Sequence, residues 1–531
     1  MKTVLFALNG SYSHTSLAVR AIGHALRSHG HETVIIEKNL GDTHHEVLRA
    51  LYAEQAAVYG FSAYIWNVTE MLRFAAELRE ILPEAMIVFG GPEVSFADER
   101  FFDEHPYIDH IIAGEGEDAF PAFCQAIENG EPIPKIVMGL PFAGFRESGI
   151  YYGEIGSIPH GLVYYESVRG CPFSCAYCLS SRKEGIRAKT AEKALADLLL
   201  FEKFDDIRTV KLVDRTFNFD RERAKTIWRA LSGDDYTKEY HFEVSAALLD
   251  EESFAILEAV PKGKFRLEIG VQSTNPETIR AVARELDIQK TLSALKRLSA
   301  KGNLHVHADL IAGLPYEGYD SFAHSFNDVY GACDVLQLGF LKLLHGSAMR
   351  RDAEKYGIRY SPAPPYQVLK TDDLSFEEIM RLEAIDAVND RFSNSGKFSY
   401  TFPFLPLASG SAFGFFEGLC DFLKDRFHLT EIKRLPQAEA FRLIYEYAET
   451  QGLPMKEIKE RLALDFLLGE TRRLPPFLVT KTVDNEEKMR VLAEVHPSQR
   501  PACEVVRFDF LSAHPAVIDR VRRTVTIMEN F

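Results

Sequence analysis

Five short apolar runs, at residues 3–8, 32–37, 56–61, 85–89 and 108–113, punctuate the start of the chain, and amphipathic stretches near 15–29, 44–54, 67–82 and 117–129 lie between them. Short apolar runs bounded by turn residues predict buried parallel strands, and the helical periodicity between them predicts covering helices. Together they predict a doubly wound, flavodoxin-like α/β domain over residues 1–130. Residues 131–162, with Pro132, Pro134, Pro141 and Pro159, have little periodicity and read as a linker. The alternation resumes with strands predicted at 163–168, 209–213, 241–246, 266–271, 305–311 and 335–341. Six βα units predict a partial (β/α)6 barrel over 163–355. Residues 356–531 are mostly helical in pattern.

Ligands of parallel sheets bind beyond the carboxyl ends of the strands, so the segments that follow each run carry information. After the first come Ser13 and His14, and after the third Gly60, Ser62 and Trp66. After the fourth comes Gly90-Gly91-Pro92-Glu93-Val94-Ser95, and after the fifth Gly114-Glu115-Gly116-Glu117. Each glycine alone reads as an ordinary turn residue. Their recurrence at successive strand ends points to close approach of a bulky ligand. His14 is a ligand-competent imidazole or a solvent-facing histidine, and Trp66 is a ligand-covering ring or a packing residue.

The tightest chemical constraint follows the sixth run, where Cys171, Cys175 and Cys178 stand in a C-x3-C-x2-C loop. Seven cysteines in 531 residues and no secretory signal argue against a disulfide. Zinc takes four ligands, often as two spaced pairs, and no second pair follows at a zinc-ribbon distance. Three thiolates hold three irons of a cubic cluster and leave one iron open to a small ligand. This spacing, with Tyr177 just before the last cysteine, resembles the motif of the radical S-adenosylmethionine (SAM) enzymes. The resemblance implies a 4Fe-4S cluster whose open iron binds the amino and carboxylate groups of SAM and whose electron cleaves it to a 5'-deoxyadenosyl radical.

Charged residues at strand ends extend the likeness. A buried barrel strand carries a carboxylate only where something satisfies it, yet Glu243, Ser245, Glu268, Gln272 and Asp309 fall on or beside predicted strands. Gly270-Val271-Gln272, Arg284 and the run Ala308 to Pro315 resemble elements of the oxygen-independent coproporphyrinogen oxidases. That resemblance implies Gln272 and Asp309 as ribose ligands, Arg284 as the carboxylate partner, Glu243 as the amino-group partner and the Tyr177 backbone at the adenine edge. An arginine fork suits a carboxylate, although Arg284 also reads as a surface residue paired with Glu285 or Asp287. Asp214, Arg215 and Asn218 read as substrate or cofactor contacts or as turn residues.

The N-terminal region resembles the cobalamin-binding domain found upstream of one radical SAM class, on its Gly-Gly-Pro-Glu-Val-Ser and Gly-Glu-Gly-Glu runs. The resemblance implies that Ser13, His14, Ser62, Trp66, Gly90, Gly91, Glu93, Gly114, Glu115 and Gly116 meet the corrinoid. The Asp-x-His-x-x-Gly motif that supplies a lower cobalt ligand in many cobalamin proteins is missing. The whole layout resembles cobalamin-binding radical SAM proteins with an uncharacterised C-terminal domain.

The implied activity is methylation of an unactivated carbon of a small-molecule or peptide substrate, with methyl carried by the corrinoid and electrons from a donor such as flavodoxin or ferredoxin. A radical cyclase or rearrangement enzyme and a non-catalytic corrinoid sensor are the alternatives. A methylthiotransferase needs a second set of cluster cysteines, but only Cys124 precedes the motif. A net charge of -16 argues against nonspecific nucleic-acid or membrane-surface binding. With no apolar run near ~20 residues and no signal pattern, the chain is expected in the cytoplasm. The aromatic stretch 398–416 reads as a cap over the barrel mouth or as packing of a helical domain. Cys420, Cys503 and His428 read as buried fillers.

Overall fold

The computed structural model describes residues 1–152, 161–181, 185–469, 474–478 and 480–528. It divides into two compact units, Met1–Glu317 with Gly339–Ser375, and Gly318–Leu338 with Phe376–Phe531. In the first unit, strands β1 (Lys2–Asn9), β2 (Glu32–Asn39), β3 (Val58–Ser62), β4 (Met86–Gly90), β5 (His110–Gly114) and β6 (Ile136–Gly139) form a parallel sheet in the order β2-β1-β3-β4-β5-β6. Strand alternation splits its core between two faces. Val4, Phe6, Phe61 and Phe89 pack on one side with Phe74, whereas Leu5, Val58, Val88, Phe120 and Phe123 pack on the other. Helices α1 (Leu17–Ser28), α2 (His44–Ala53), α3 (Val68–Ile81), α4 (Glu99–Glu104) and α5 (Gly116–Asn129) cover both.

The sixth strand falls within the stretch expected as a linker. β6 is an edge strand of four residues with no fully buried position, so it lacks the apolar run that marks its neighbours. Two glycines shape the loops at the carboxyl ends. Gly91 and Gly114 have φ of +113° and +95°, and a Cβ on either would stand 2.4 Å from a backbone oxygen, of Ala63 and Gly139 respectively.

The second sheet contains β7 (Leu162–Tyr165), β10 (Thr209–Leu212), β11 (Glu239–Glu243), β12 (Phe265–Gln272), β13 (His305–Ala312) and β14 (Val335–Phe340), in the order β14-β13-β12-β11-β10-β7. Between β7 and β10 in the chain lie β8 (Val168–Arg169) and β9 (Arg187–Ala188), a separate antiparallel ribbon. The first barrel strand is shorter than expected because the backbone amides of Ser167 and Val168 donate to Asp214, which ends the ladder at Tyr165. Ser245 likewise lies past the end of β11, where its backbone N–H and C=O both bond the Asn218 side chain at 2.9 Å.

Every second residue of β12 is buried: Phe265, Leu267, Ile269 and Val271 pack under the helices. Arg266, Glu268, Gly270 and Gln272 occupy the other face. Helices α6 (Ala191–Phe201), α7 (Arg221–Leu231), α8 (Glu251–Ala259), α9 (Pro276–Ala281) and α10 (Ile288–Ala300) begin at Thr190, Asp220, Asp250, Asn275 and Asp287, each accepting a backbone N–H at its own helix start. In contrast, α1, α3 and α5 have no side-chain cap.

The second unit is chiefly helical, with helices at Tyr319–Val329, Phe376–Phe392, Ala412–Lys424, Gln437–Thr450 and Met455–Gly469. The aromatic stretch packs this unit's core: Phe402, Phe413, Phe415 and Phe416 are buried, and Phe326 meets Phe413 and Phe416 edge-on at 5.6 and 5.5 Å. A four-stranded antiparallel sheet near the end, built on Cys503–Phe508 and Ser512–Asp519, adds to the helical pattern read from the sequence. Among the described residues, no helix is long and apolar enough to cross a membrane.

Gly114→Ala is expected to destabilise the first unit by roughly 1–3 kcal/mol, the usual magnitude of left-handed strain at a non-glycine residue. Calorimetry of the ligand-free protein checks this as a lowered melting temperature, and an unchanged transition would contradict the close approach to Gly139.

Candidate functional site

The cysteine loop leaves the barrel at Ser167. The Asp214 carboxylate, fully buried at the end of β10, accepts from Ser167 N at 2.7 Å, from Val168 N at 2.9 Å and from the Ser167 hydroxyl. Burial raises its pKa to about 6 despite those donors. Arg223 steadies the same hydroxyl at 2.8 Å. Farther along, Ala176 N donates to Val282 O and Met349 N donates to Ala176 O, fixing the middle of the loop at 2.9 and 2.8 Å.

Cys171, Cys175 and Cys178 form no disulfide. Among the described residues, no three His, Cys, Asp or Glu side chains converge to hold a single ion. Thr216 Oγ1 lies 3.5 Å from Cys171 Sγ. Arg284 points inward rather than pairing with Glu285 or Asp287: Nη1 donates to Tyr177 Oη at 3.1 Å and Cys175 Sγ at 3.6 Å, and Nη2 donates to Gly270 O.

Beyond the loop, the inner faces of β10 to β13 are polar. Glu268 accepts from Lys211 and contacts His241, both at 3.1 Å. Burial works to raise its pKa, but His241 and Lys211 beside it hold it near about 2. Glu243, 3.5 Å from Arg215, is pushed up to about 7, chiefly by burial. Asp309 is pushed to about 8 by burial and by the charges of Glu268 and Glu243, with Lys211 and Arg284 opposing. Gln272 sits at a register shift between β12 and β13 with φ of +72°. The Gln272 Oε1, Asp309 Oδ1 and Arg284 Nε atoms are buried without a hydrogen-bond partner.

A cavity of about 870 Å³ lies between the first sheet's carboxyl-end loops and the mouth of the barrel, within the first unit. His14, Ser62 and Trp66 line it, as do Gly90, Gly91, Gly114, Glu115 and Gly116. Tyr164, Val213 and Arg215 form part of the barrel side. Trp66 is 52% exposed and stacks on Tyr64 with centroids 4.4 Å apart. The His14 ring lies parallel to Tyr164, and its Nδ1 meets the Tyr164 hydroxyl. Burial and the Lys211 charge lower its pKa.

Two expected contacts are not among the lining residues. Ser13 turns to Ser11, with hydroxyls 2.8 Å apart. The tight turn at Gly91 brings Glu93 N back toward Ala63 O, and the Glu93 carboxylate accepts from Tyr366 Oη at 2.5 Å. Glu115 lines the cavity but its oxygens are engaged by Arg169, Arg187 and the Phe142 amide. Sequence reasoning missed Arg169, Arg187, Tyr164 and Asn67. Asn67 is the most legible of these, because a buried Asn after a strand-end loop suggests backbone clamping; its amide bonds Leu8 O, Ser62 O and Tyr64 N.

Residues 4–124 match the B12 binding domain family and residues 165–329 the Radical SAM superfamily. The chain carries a B12 binding domain followed by a Radical SAM domain. Residues 354–514 match a third family, described as a protein of unknown function, DUF4080. The chain is 25% identical to the cobalamin-dependent radical SAM methyltransferase TokK of Streptomyces tokunonensis, over 70% of this chain and 62% of that protein. It is also 25% identical to the 2-(S-pantetheinyl)-carbapenam-3-carboxylate methyltransferase of Streptantibioticus cattleyicolor, over 50% of this chain and 43% of that protein. It thus spans less than two thirds of either relative.

The fold is shared with OxsB bearing aqua-cobalamin, at a TM-score of 0.59 and 13% identity over 92% of this chain and 83% of that one. It is shared too with TsrM from Kitasatospora setae bearing cobalamin and a [4Fe-4S] cluster, at 0.56 and 16% over 69% and 82%. The two matched domains imply a 4Fe-4S cluster, SAM and cobalamin, and the residues fit them. Three cysteines outside any disulfide stand in one loop, orphaned polar atoms of Gln272, Asp309 and Arg284 face no protein partner, and glycine loops with uncapped helix starts border the large cavity.

The raised pKa of Asp309 gives a signed pH dependence. The folded state keeps a proton up to about pH 8, whereas an unfolded aspartate releases it near ~3.9. The unfolded chain therefore binds fewer protons between these values, and ligand-free stability falls as pH rises through that window. Asp309→Asn removes this dependence. Its melting temperature relative to the parent is expected to rise more at pH 8.5 than at pH 5, and an equal offset at both would contradict a buried acid.

Proposed function

We propose that the protein is a cobalamin-dependent radical SAM methyltransferase that methylates an unactivated carbon of a small-molecule or peptide substrate, with electrons from a flavodoxin- or ferredoxin-type donor. The observation that carries this reading is the cavity shared by the B12-binding loops and the barrel mouth. The names of the two methyltransferase relatives support it. When bound, the cluster and SAM supply a radical that removes a hydrogen atom, and the corrinoid supplies a methyl group.

In this reading Cys171, Cys175 and Cys178 hold iron, and the Tyr177 backbone borders the adenine. Gln272 Oε1 and Asp309 Oδ1 gain their missing partners from ribose hydroxyls. A protonated Asp309 can donate as well as accept, which suits a hydroxyl partner. Glu243 takes the amino group of SAM, an added positive charge that returns its pKa toward the ordinary range. Arg284 meets the carboxylate. Trp66 and Tyr64 offer the corrinoid an aromatic surface without a metal-ligating atom, consistent with the missing Asp-x-His-x-x-Gly motif. Ser62 and the glycines at 90, 91, 114 and 116 leave room beside it.

Anaerobic reconstitution is expected to give about four irons and an equivalent of cobalt per chain, with iron lost in Cys175→Ala. After reduction with SAM, S-adenosylhomocysteine together with 5'-deoxyadenosine supports methyl transfer. The deoxyadenosine alone would indicate a radical rearrangement, and neither product a corrinoid sensor.

Trp66→Ala is expected to weaken hydroxocobalamin binding by roughly five- to thirtyfold, the scale of losing one large aromatic contact. Absorbance titration reads this, and Trp66→Phe retains most of the affinity.

A further inference from the structure

The cysteine loop is closed at its base by very little. The ribbon β8–β9 has two residue pairs, Val168 with Ala188 and Arg169 with Arg187. An isolated pair of strands is marginal even when longer, and this one sets two guanidiniums directly opposite each other, an arrangement that repels. Just inside the neck, Gly170 approaches Gly185 so closely that a Cβ on Gly170 would stand 2.6 Å from Gly185 O. Both arginines also lie over the Phe145 ring, at 4.7 and 5.9 Å. The neck therefore needs negative charge.

Glu115 supplies it from the B12-binding domain. It stands at the start of α5 and receives Arg169 Nη1 at 2.6 Å and Arg187 Nη1 at 3.1 Å, with Arg187 Nη2 on its other oxygen. Arg169 has two further carboxylates, Glu117 at 2.9 Å and Glu166 at 2.7 Å. Among the described residues, Arg187 forms ion pairs with Glu115 alone. Glu115 is 17% exposed, and the arginines 20% and 19%, so the pairs are shielded from water and salt more than a surface bridge. Glu115, Gly170 and Gly185 all line the cavity.

We infer that Glu115 is a positioning residue that clasps the neck of the cluster loop, and that through it occupancy of the corrinoid cavity and retention of the cluster are coupled. Sequence reading assigns Glu115 to the corrinoid itself; here its oxygens are committed to the arginines. Coupling between two ligands is reciprocal, so whatever fixes the Glu115 loop also fixes the base of the cysteine loop. The inference requires the cluster and the B12-binding cavity, but not methyl transfer, and stands or falls separately from the proposed activity.

The test uses full-length protein reconstituted anaerobically with iron and sulfide, with and without hydroxocobalamin. Three quantities are read: the rate of iron loss to a chelator, the EPR line shape of the reduced cluster, and hydroxocobalamin affinity by absorbance titration. Glu115→Gln is expected to speed iron loss about fivefold or more, within the range of a broken contact pair. It also alters the line shape, abolishes the protection that hydroxocobalamin gives the parent protein, and leaves hydroxocobalamin affinity of the cluster-free protein within about twofold, since the contact removed is the one to the arginines.

Arg187→Gln reproduces part of these effects, and the double variant is no worse than Glu115→Gln alone, because Glu115→Gln already removes the carboxylate that Arg187 pairs with. Tenfold weaker hydroxocobalamin binding with iron retained at the parent rate would overturn the inference and return Glu115 to the corrinoid. If Glu115→Gln does not fold, Arg187→Lys decides: it keeps the charge and retains iron better than Arg187→Gln, and equal loss from the two overturns the clasp.

Discussion

A parallel strand sends alternate side chains to opposite faces, and the chemistry of this protein depends on that constraint. In β12 the alternation assigns Phe265, Leu267, Ile269 and Val271 to the helices and Arg266, Glu268, Gly270 and Gln272 to the interior of the barrel. A closed barrel would have to fill that interior with apolar layers. This open sheet instead carries Lys211, His241, Glu243, Glu268 and Asp309, and the price is visible in carboxyl groups pushed toward neutrality. Where one of them packs against Lys211 the strain is relieved, as at Glu268. Where they do not, the sheet is built to be completed by something else.

Much of this was legible in the chain. Five of six strands in the first sheet announce themselves as apolar runs, whereas β6 does not, because an edge strand buried on neither face needs no such run. The cysteine spacing is local and fully readable. Arg284 illustrates the limit: nothing in sequence distinguishes an arginine beside two acids on a surface from one turned under a loop toward Cys175.

The corrinoid loops divide the same way. Glycines at 90, 91, 114 and 116 border the cavity, and at 91 and 114 a Cβ would collide with a backbone oxygen. Ser13 and Glu93 do not line it, because side-chain direction within a loop depends on long-range partners such as Tyr366. Asp214 reads in sequence as a substrate or cofactor contact or a turn residue, not as what it is, a carboxylate that grips the backbone four and three residues before the cluster motif.

The chain threads between its two compact units more than once. The Radical SAM match ends at residue 329, yet Tyr319–Val329 belongs with the second unit, where Phe326 packs against Phe413 and Phe416, while Gly339–Ser375 returns to the first. The C-terminal region is therefore not an appendage on a string. A gene rearrangement that removed it at one crossover would strand an aromatic helix in water, and one that transplanted it would have to carry part of the radical domain along. A boundary between the two units therefore has to cut the chain at more than one place.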